Sequence, residues 1–165
     1  MEKIFIHDLS EGIHEFKMEV KAEDIELTDK EFYPYPLLLT ILVDKIQDVF
    51  RFKIRVQTQV KYTCDRCLDE YETRLDEGVE QIYQLGHSEL DADEEIEIVP
   101  EGTREIDISR VLQDTFLMNR PIQLLCKEDC KGLCAHCGAN WNHESCSCQT
   151  KRIDPRLAKL KSLKK

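Results

Sequence analysis

Six of the eight cysteines of the chain lie in one short segment, CKEDCKGLCAHCGANWNHESCSC, at residues 126–148. Structural zinc sites hold the ion tetrahedrally by thiolates about 2.3 Å away, and a C-x2-C turn presents two sulfurs to one ion. Cys134 and Cys137 form such a turn. Cys146 and Cys148 follow after a segment that is long enough to fold back and supply two more sulfurs. These four cysteines therefore predict a four-thiolate zinc site.

The other four cysteines fall into two pairs that are distant in the sequence. Cys64 and Cys67 form a second C-x2-C turn, whereas Cys126 and Cys130 have the less diagnostic C-x3-C spacing. The two pairs form another four-thiolate site only if the segment that carries the first pair meets the start of the cysteine-rich segment. The sequence therefore predicts one zinc ion, and a second where this condition is met.

Disulfides and redox chemistry are the alternatives for these thiols. The N-terminal residues MEKIFIHDLSEG lack the pattern of a signal peptide, so we expect a cytoplasmic protein, in which thiols stay reduced. A thioredoxin-like role for Cys64 and Cys67 requires a strand followed by a helix, but strand patterns lie on both sides. Among the other residues of the cluster, His136 and His143 are alternative ligands or exposed bystanders. Trp141 either stacks on a base or caps a small core, which we favour.

The elements that must position these cysteines are mainly strands. Residues 50–62 alternate apolar and polar side chains, and the alternation resumes in residues 70–85, which indicates two half-buried strands. The intervening CDRCLD is typical of a turn. It places Cys64 and Cys67 at the tip of a long β-hairpin.

The charges along this predicted hairpin indicate its register. A turn centred within CDRC puts Lys61 opposite Glu70. The same register puts Arg55 opposite Asp76. Opposite charges across a strand pair are mildly favourable, so sequence pattern and charge favour the same pairing.

The remaining patterns complete the fold class. Residues 12–20, 36–43 and 94–99 are typical of strands, residues 105–119 of a helix that ends before Pro121, and residues 155–165 of a short basic helix. We expect an α+β fold: an antiparallel β-rich domain, as a sheet or a partial barrel, with one central helix, a C-terminal cysteine-rich zinc module and a short basic C-terminal helix. The predicted divisions are residues 1–125 for the β-rich domain that carries the hairpin, residues 126–150 for the zinc module packed on it, and residues 151–165 for a basic tail.

The charge distribution is uneven. The net charge of −10 argues against general adhesion to nucleic acid or anionic lipid. The longest apolar run, residues 37–43, is too short to span a bilayer, so no membrane partner is expected. The tail is strongly basic, and its charged residues either are solvated or contact RNA or a protein partner. The candidate residues for contact with RNA or a protein partner are Lys151, Arg152, Arg156, Lys159, Lys161, Lys164 and Lys165.

Two further charged regions have simpler interpretations. Arg51, Lys53 and Arg55 form a basic row that we interpret as a solvated strand face with acidic neighbours. Residues 89–107 contain nine acidic residues and only one basic residue.

The sequence contains no nucleophile elbow, no Gly-rich phosphate loop and no deaminase signature. We therefore expect neither enzymatic activity nor a small-molecule substrate.

The order of these motifs resembles that of the bacterial YceD family. The resemblance is carried by CDRCLDEYE, by IDISRVLQDTFLMNRPIQLLCKEDCKGLCAHCGANWN, by CSC and by IDPRLAKLKSLKK. It covers roughly residues 45–165 and implies a role in the accumulation of 23S ribosomal RNA, through its synthesis, processing or stability, with no established enzymatic activity. The family's C-x2-C pair corresponds to Cys64 and Cys67. Its C-terminal cluster corresponds to Cys126, Cys130, Cys134, Cys137, Cys146 and Cys148.

Three functions are compatible with the sequence. The favoured one is a non-enzymatic, zinc-stabilised factor that supports 23S rRNA accumulation and large-subunit assembly, with 23S rRNA or a large-subunit ribosomal protein as partner. The second is a zinc-ribbon adaptor that binds a protein without touching RNA, which the net negative charge favours. The third, least favoured, is a thiol oxidoreductase that uses Cys64 and Cys67.

Overall fold

The computed structural model of the chain describes residues 2–86 and 96–148. Within these ranges it contains seven strands, one α-helix and a short 3-10 turn at Lys30–Phe32. The elements are β1 (Lys3–Phe5), β2 (Gly12–Val20), β3 (Leu37–Ile46), β4 (Val49–Thr63), β5 (Glu70–Leu85), β6 (Ile96–Val99), β7 (Glu105–Asp107) and α1 (Ser109–Met118). The predicted C-terminal basic helix and the seven basic tail residues lie outside the described residues.

Most strands belong to one five-stranded sheet with the order β2-β3-β4-β5-β6. β2 pairs antiparallel with β3, and β3 pairs antiparallel with β4. β6 runs parallel to β5, which the sequence did not predict. β1 and β7 form a separate antiparallel pair. The prediction of a mostly antiparallel sheet with one helix is therefore confirmed, and the described sheet is open, with β2 and β6 at its ends.

The two predicted ion pairs between β4 and β5 are present, but the register differs from the predicted one by two residues. The N–H of Cys64 donates to the carbonyl of Asp69, and the N–H of Leu85 donates to the carbonyl of Asp48. Thr63 therefore lies opposite Glu70, and the ion pairs join diagonal neighbours. The Nζ atom of Lys61 lies 2.7 Å from a carboxylate oxygen of Glu70. The guanidinium of Arg55 donates from Nε and from a terminal nitrogen to the two carboxylate oxygens of Asp76, at 2.7 and 2.8 Å. The alternating burial along β4 excludes a slip of one residue, which would turn its apolar side chains to solvent, but a shift of two residues leaves every side chain on the same face.

The helix was predicted to start at residue 105, which is four residues too early. Residues 105–107 form β7, in which Ile106 lies opposite Ile4 of β1 and is buried. The first turn of α1 begins only at Ser109, whose backbone N–H donates to the Asp107 side chain. The sequence pattern missed β1 and β7 because three-residue strands are too short to show a period. Within the described ranges, no helix has the length and apolar character that crossing a membrane requires.

The inward faces of the central strands form the core of the sheet. From β3 and β4, the core takes Leu37, Leu39, Ile41, Val43, Phe50, Phe52, Ile54 and Val56, all at most 2% exposed. The helix contributes Leu112 and Phe116, and the Phe116 ring packs edge-on against Tyr33 at 4.8 Å between centroids. Burial of these aliphatic and aromatic groups supplies the main stabilising term for this part of the chain.

The described residues separate into two compact units. The first contains residues 2–62, 70–86 and 96–124, and therefore nearly all of the strands and the helix. The second contains residues 63–69 and 125–148, and therefore all eight cysteines. The hairpin tip thus groups with the cysteine-rich segment, whereas the predicted boundary at residues 125/126 assigned it to the β-rich domain. The predicted division of the whole chain into a domain, a module and a tail stays a prediction.

The basic row on β4 is neutralised by acidic residues of β5. Arg51 and Lys53 lie 3.3 and 3.7 Å from the carboxylate of Glu80, and Arg55 is held by Asp76. These are exposed pairs, so each contributes little stability. They nevertheless cancel the positive charge of this sheet face, which supports its interpretation as a solvated face rather than an RNA-binding surface.

We predict that the pKa of Asp76 depends on Arg55. Hydrogen bonds from Arg55, and then from Gln57, lower the pKa of the Asp76 carboxyl to about 2. Since an unfolded aspartate has a pKa of about 3.9, this carboxylate stabilises the fold above about pH 4, and the contribution is lost as pH falls through about 2. An NMR titration of the Arg55→Gln variant should show the Asp76 pKa raised towards the unfolded value.

Arg74 is the matched control for this titration. Its guanidinium also lies near Asp76, but at 3.7 Å, and it contributes less to the lowered pKa. Arg74→Gln should therefore raise the Asp76 pKa less than Arg55→Gln does. Equal shifts in the two variants would contradict the assignment of Arg55 as the main partner of Asp76.

Candidate metal centre

The eight cysteine sulfurs gather into two groups of four, all of them within the second unit. In each group, the four sulfurs lie within 4.8 Å of one another. The group at the hairpin tip, here called the tip group, consists of Cys64, Cys67, Cys126 and Cys130. The C-terminal group consists of Cys134, Cys137, Cys146 and Cys148. The condition for a second site, that the hairpin tip meets the start of the cysteine-rich segment, is therefore fulfilled.

The sulfur spacing of the tip group fits a tetrahedral zinc ion. Four sulfurs at about 2.3 Å from one ion lie about 3.8 Å from each other. The Sγ atoms of Cys64 and Cys130 are 3.7 Å apart, and those of Cys67 and Cys126 are 3.6 Å apart. All eight cysteines are free thiols. The donor set and the spacing thus suit zinc, and the residues that would hold it are the four of each group.

The first C-x2-C turn is fixed by backbone hydrogen bonds at the end of β4. The N–H of Cys64 donates to the carbonyl of Asp69, and the N–H of Leu68 donates back to the carbonyl of Cys64, both at 2.9 Å. Leu68 adopts the left-handed backbone conformation, with φ of 61°. The chain therefore reverses direction within one tight turn, which brings both sulfurs to the same side.

The second C-x2-C turn repeats this geometry. The N–H of Cys134 donates to the carbonyl of Ala139, and the N–H of Gly138 donates to the carbonyl of Cys134, again at 2.9 Å each. Gly138 has a φ of 75°, at the position that Leu68 occupies in the first turn. The two turns are thus equivalent residue for residue, although only the second has the glycine that this conformation favours.

In both turns, the sulfur of the first cysteine accepts backbone N–H groups from residues two and three positions later. These donors are Arg66 and Cys67 in the first turn, and His136 and Cys137 in the second. For Cys64, burial raises the pKa, but backbone donors outweigh it and lower the pKa; the strongest of them is the N–H of Cys126, and the two donors of the turn follow. For Cys134, the backbone donors dominate and lower the pKa directly. Both turns therefore favour a thiolate, the form that binds metal.

For three other thiols, those of Cys67, Cys126 and Cys148, the pKa is raised instead. Burial and the neighbouring sulfurs of its own group raise the pKa of Cys67. Hydrogen bonding to Cys137, followed by burial, raises the pKa of Cys148 to about 12. Four thiolates in one small volume repel each other, so all four ionise together only when a cation compensates their charge. A divalent metal ion supplies that compensation.

Arg66 joins the hairpin tip to the cysteine-rich segment. Its carbonyl accepts the N–H of Leu133 at 3.1 Å, and its guanidinium donates to the carbonyl of Cys130 at 3.2 Å. The backbones of Arg66 and Gly132 lie so close together that a Cβ added at Gly132 would be 3.0 Å from the Arg66 carbonyl oxygen. Residues that are distant in the sequence are thereby held in the arrangement that the tip group needs.

Asp69 forms a second connection within the same unit. Its carboxylate accepts the side-chain N–H of Asn140 at 2.8 Å and lies 3.2 Å from Nε2 of His143. It also lies 3.3 Å from the sulfur of Cys67. These partners lower the pKa of Asp69, the Cys67 thiol most strongly. Asp69 thus touches the tip group and residues that follow the second C-x2-C turn.

Two polar side chains donate to cysteine sulfurs from outside the groups. Asn142 Nδ2 lies 3.3 Å from the sulfur of Cys130. Trp141 Nε1 lies 3.3 Å from the sulfur of Cys146, and its backbone N–H donates to Gly132. Such bonds orient ligands and stabilise their thiolate form. They also support the interpretation of the half-buried Trp141 as a cap beside the sulfurs rather than as a base-stacking residue.

Sequence reasoning missed these supporting residues. Asp69, Asn140 and Asn142 are polar residues close to cysteines, which is the only local signal of their role. The two histidines of the cluster are not members of either sulfur group. His143 contacts Asp69, and the side chain of His136 is exposed, so neither replaces a thiol in the observed arrangement.

The two groups differ in burial. Three cysteines of the tip group are at most 4% exposed, namely Cys64, Cys67 and Cys130. In the C-terminal group only Cys134 is buried, and Cys137 is exposed. In the described part of the second unit, the buried residues are these four cysteines and Gly132. Sulfur, not hydrocarbon, therefore fills the interior of this unit.

The chain matches the model of a known family over residues 52–164, described as large ribosomal RNA subunit accumulation protein YceD. One similar protein, from Zea mays, is named large ribosomal RNA subunit accumulation protein YCED homolog 1, chloroplastic. It is 35% identical to this chain over 69 residues, and these residues cover 41% of this chain and 23% of that protein. A Bacillus subtilis protein, the uncharacterized YlbN, is 26% identical over 115 residues, which cover 69% of this chain and 66% of that protein.

An uncharacterized protein of Mycobacterium tuberculosis is 31% identical over 98 residues, which cover 59% of this chain and 47% of that protein. The match spans less than a quarter of the length of the plant relatives from Zea mays and Arabidopsis thaliana. No solved structure matches the chain at a significant level. Because the family model covers more than half of the sequence and includes all eight cysteines, the chain belongs to the YceD family.

Proposed function

We propose that this protein is a non-enzymatic, zinc-stabilised factor that acts in the cytoplasm to support 23S rRNA accumulation and assembly of the large ribosomal subunit. The observation that carries the proposal is the extent of the family match. It runs through both sulfur groups and includes six of the seven basic tail residues. Apart from Lys165, the residues singled out as candidate sites thus lie within the region that this chain shares with the family.

The proposed role of zinc is to form the interior of the second unit. The buried side chains of its described part are cysteines, so it lacks the hydrocarbon core that normally offsets conformational entropy. A structural zinc contributes roughly 10 kcal/mol or more of apparent binding energy to such small units. In the tip group, an ion would join residues that are 59 to 66 positions apart in the chain.

The proposed contact with RNA or a ribosomal protein is made by the basic tail. The basic row on β4 is paired with Glu80 and Asp76, so it offers little uncompensated charge to a polyanion. The tail has seven basic residues and only Asp154 to oppose them. Each phosphate that such a segment neutralises changes the salt slope of binding by about −0.7 to −0.9, which gives weak, salt-sensitive affinity.

An adaptor that binds only protein is the second candidate, and the net charge of −10 favours it. Nuclease treatment distinguishes the two, because an RNA-bridged complex dissociates when its RNA is digested. A protein-only complex survives the same treatment. Salt is a poor discriminator, since both kinds of contact are electrostatic.

We predict two zinc ions per chain when the protein is purified without chelator or added metal. Elemental analysis of Cys137→Ser should show one ion, because the C-terminal group then lacks a ligand while the tip group is intact. Elemental analysis of His136→Ala should still show two. A wild-type protein with less than half an equivalent of zinc and freely reactive thiols would contradict the metal proposal.

We predict that Gly132→Ala weakens zinc retention more than Gly138→Ala. Both glycines have a φ of 75°, so each substitution costs about 1–2 kcal/mol of backbone strain. Only at Gly132 would the new Cβ also press on the Arg66 backbone, at 3.0 Å, whereas nothing lies within 4 Å at Gly138. The rate of zinc transfer to a chromophoric chelator measures the difference. Equal rates for the two variants would show that the contact at Arg66 is unimportant.

We predict that depletion of this protein selectively lowers mature 23S rRNA relative to 16S rRNA. Rescue with a variant in which the seven basic tail residues are replaced by glutamine should be weak. Rescue with Arg51, Lys53 and Arg55 replaced by glutamine should be nearly complete, because those side chains are already paired on the sheet face. An unchanged level of 23S rRNA after depletion would contradict the functional proposal but would not bear on the proposed metal sites.

A further inference from the structure

The outer edge of β2 is a regular, unpaired strand edge in the described part of the chain. β2 pairs with β3 over its whole length, from Gly12 opposite Lys45 to Val20 opposite Leu37. It is the terminal strand of the five-stranded sheet, so no described strand covers its other side. It contains neither proline nor an interruption in its pairing with β3. Such an edge presents a row of backbone donors and acceptors that a further strand can pair with.

The side chains of β2 alternate between its two faces. Ile13, Glu15, Lys17 and Glu19 are exposed on the outer face. Phe16 and Met18 are half-buried on the inner face, where they pack against the margin of the core. On the outer face, Lys17 and Glu15 form an exposed ion pair at 3.0 Å. A lysine on an edge strand hinders pairing with a further strand, but a carboxylate directly opposite the lysine on that strand offsets its charge.

We propose that β2 is a homodimerisation edge, on which β2 of a second copy adds antiparallel to form a continuous sheet of ten described strands. A two-fold axis at Phe16 pairs all nine residues of β2 with the second copy, since Gly12 then lies opposite Val20. This register of full overlap places Glu15 opposite Lys17 of the second copy, and Lys17 opposite its Glu15. Opposite charges directly across a strand pair are stabilising.

Neighbouring registers are disfavoured by the same charges. A shift of two residues in one direction places Glu15 opposite Glu15 of the second copy. A shift in the other direction places Lys17 opposite Lys17. Like charges directly across a strand pair are destabilising, so the charges select the register that also gives the longest pairing. A second copy therefore fits this edge better than an arbitrary strand does.

The inner face supports the same register. Phe16 lies opposite Phe16 of the second copy, and Met18 lies opposite its His14. Both apolar side chains are only half-buried in the single chain, so the second copy would remove more of their surface from water. Aromatic pairs across strands add a further favourable term. An isologous contact of this kind closes on itself and does not propagate into fibres.

The test is a charge exchange on the 165-residue, zinc-loaded protein under reducing conditions. Sedimentation equilibrium should show a dimer for the wild type at high micromolar concentration. Glu15→Lys places lysine opposite lysine, and Lys17→Glu places glutamate opposite glutamate, so each variant alone should weaken dimerisation by about tenfold or more. An equimolar mixture of the two variants restores both opposite-charge pairs and should dimerise again. The double variant Glu15→Lys/Lys17→Glu should also dimerise.

Glu19→Lys is the matched control. It reverses a charge on the same face of β2, but residue 19 lies opposite Ile13 of the second copy, so dimerisation should persist. All of these side chains are exposed, so the variants should keep the far-UV circular dichroism of the wild type. A monomeric wild type would overturn the proposal. A dimer that survives both single reversals would overturn it as well, because the interface would then lie elsewhere.

Discussion

The buried side chains in the described part of the second unit are thiols, and this is the constraint on which its structure depends. Thiols that are packed this closely can bind a metal only as thiolates, but four thiolates in one small volume repel each other. Backbone N–H groups favour ionisation at Cys64 and Cys134, while burial and neighbouring sulfurs oppose it at Cys67. A divalent cation bound in each group, as proposed, would resolve this conflict and at the same time replace the missing hydrocarbon core.

The first unit is stabilised by a different principle. Its strands enclose aliphatic and aromatic side chains, and its charged outer face is neutralised by pairs such as Arg55 with Asp76. A sheet face that is balanced in this way has little attraction for a polyanion. The proposed contact with RNA or a ribosomal protein is therefore assigned to the basic tail, whereas the sheet provides a stable scaffold. This division of roles is consistent with the action in ribosome assembly that is proposed for this negatively charged protein.

The sequence predicted the elements whose signals are local and periodic. The alternation in residues 50–62 and the charges of Lys61 and Glu70 were sufficient to predict the hairpin and its ion pairs. The register was missed by two residues, because a charge pair does not distinguish direct from diagonal neighbours. The start of α1 was misplaced because residues 105–107 pair with β1, and no local pattern reveals such a short, distant pairing. The parallel direction of β6 was also missed, since strand direction depends on the path of the connecting residues.

In the candidate site, too, the sequence predicted local features but not the contacts between distant residues. The C-x2-C turns and the grouping of cysteines were accessible from their spacing, which zinc geometry restricts to a few choices. The partners of the sulfurs were not accessible, because Asp69 meets Asn140 only after the hairpin tip has folded against the cysteine-rich segment. The equivalence of the two turns, with Leu68 in the place of Gly138, also follows from backbone hydrogen bonds that the sequence alone does not display.

Cadmium-substituted protein, with the NMR-active isotope, tests the central claim most directly. A proton–cadmium correlation spectrum shows which cysteine side chains are coupled to which ion. We expect two cadmium resonances, one coupled to the four cysteines of the tip group and the other to the four of the C-terminal group. A single resonance, a histidine among the ligands, or an ion that couples Cys64 to Cys134 would contradict the account.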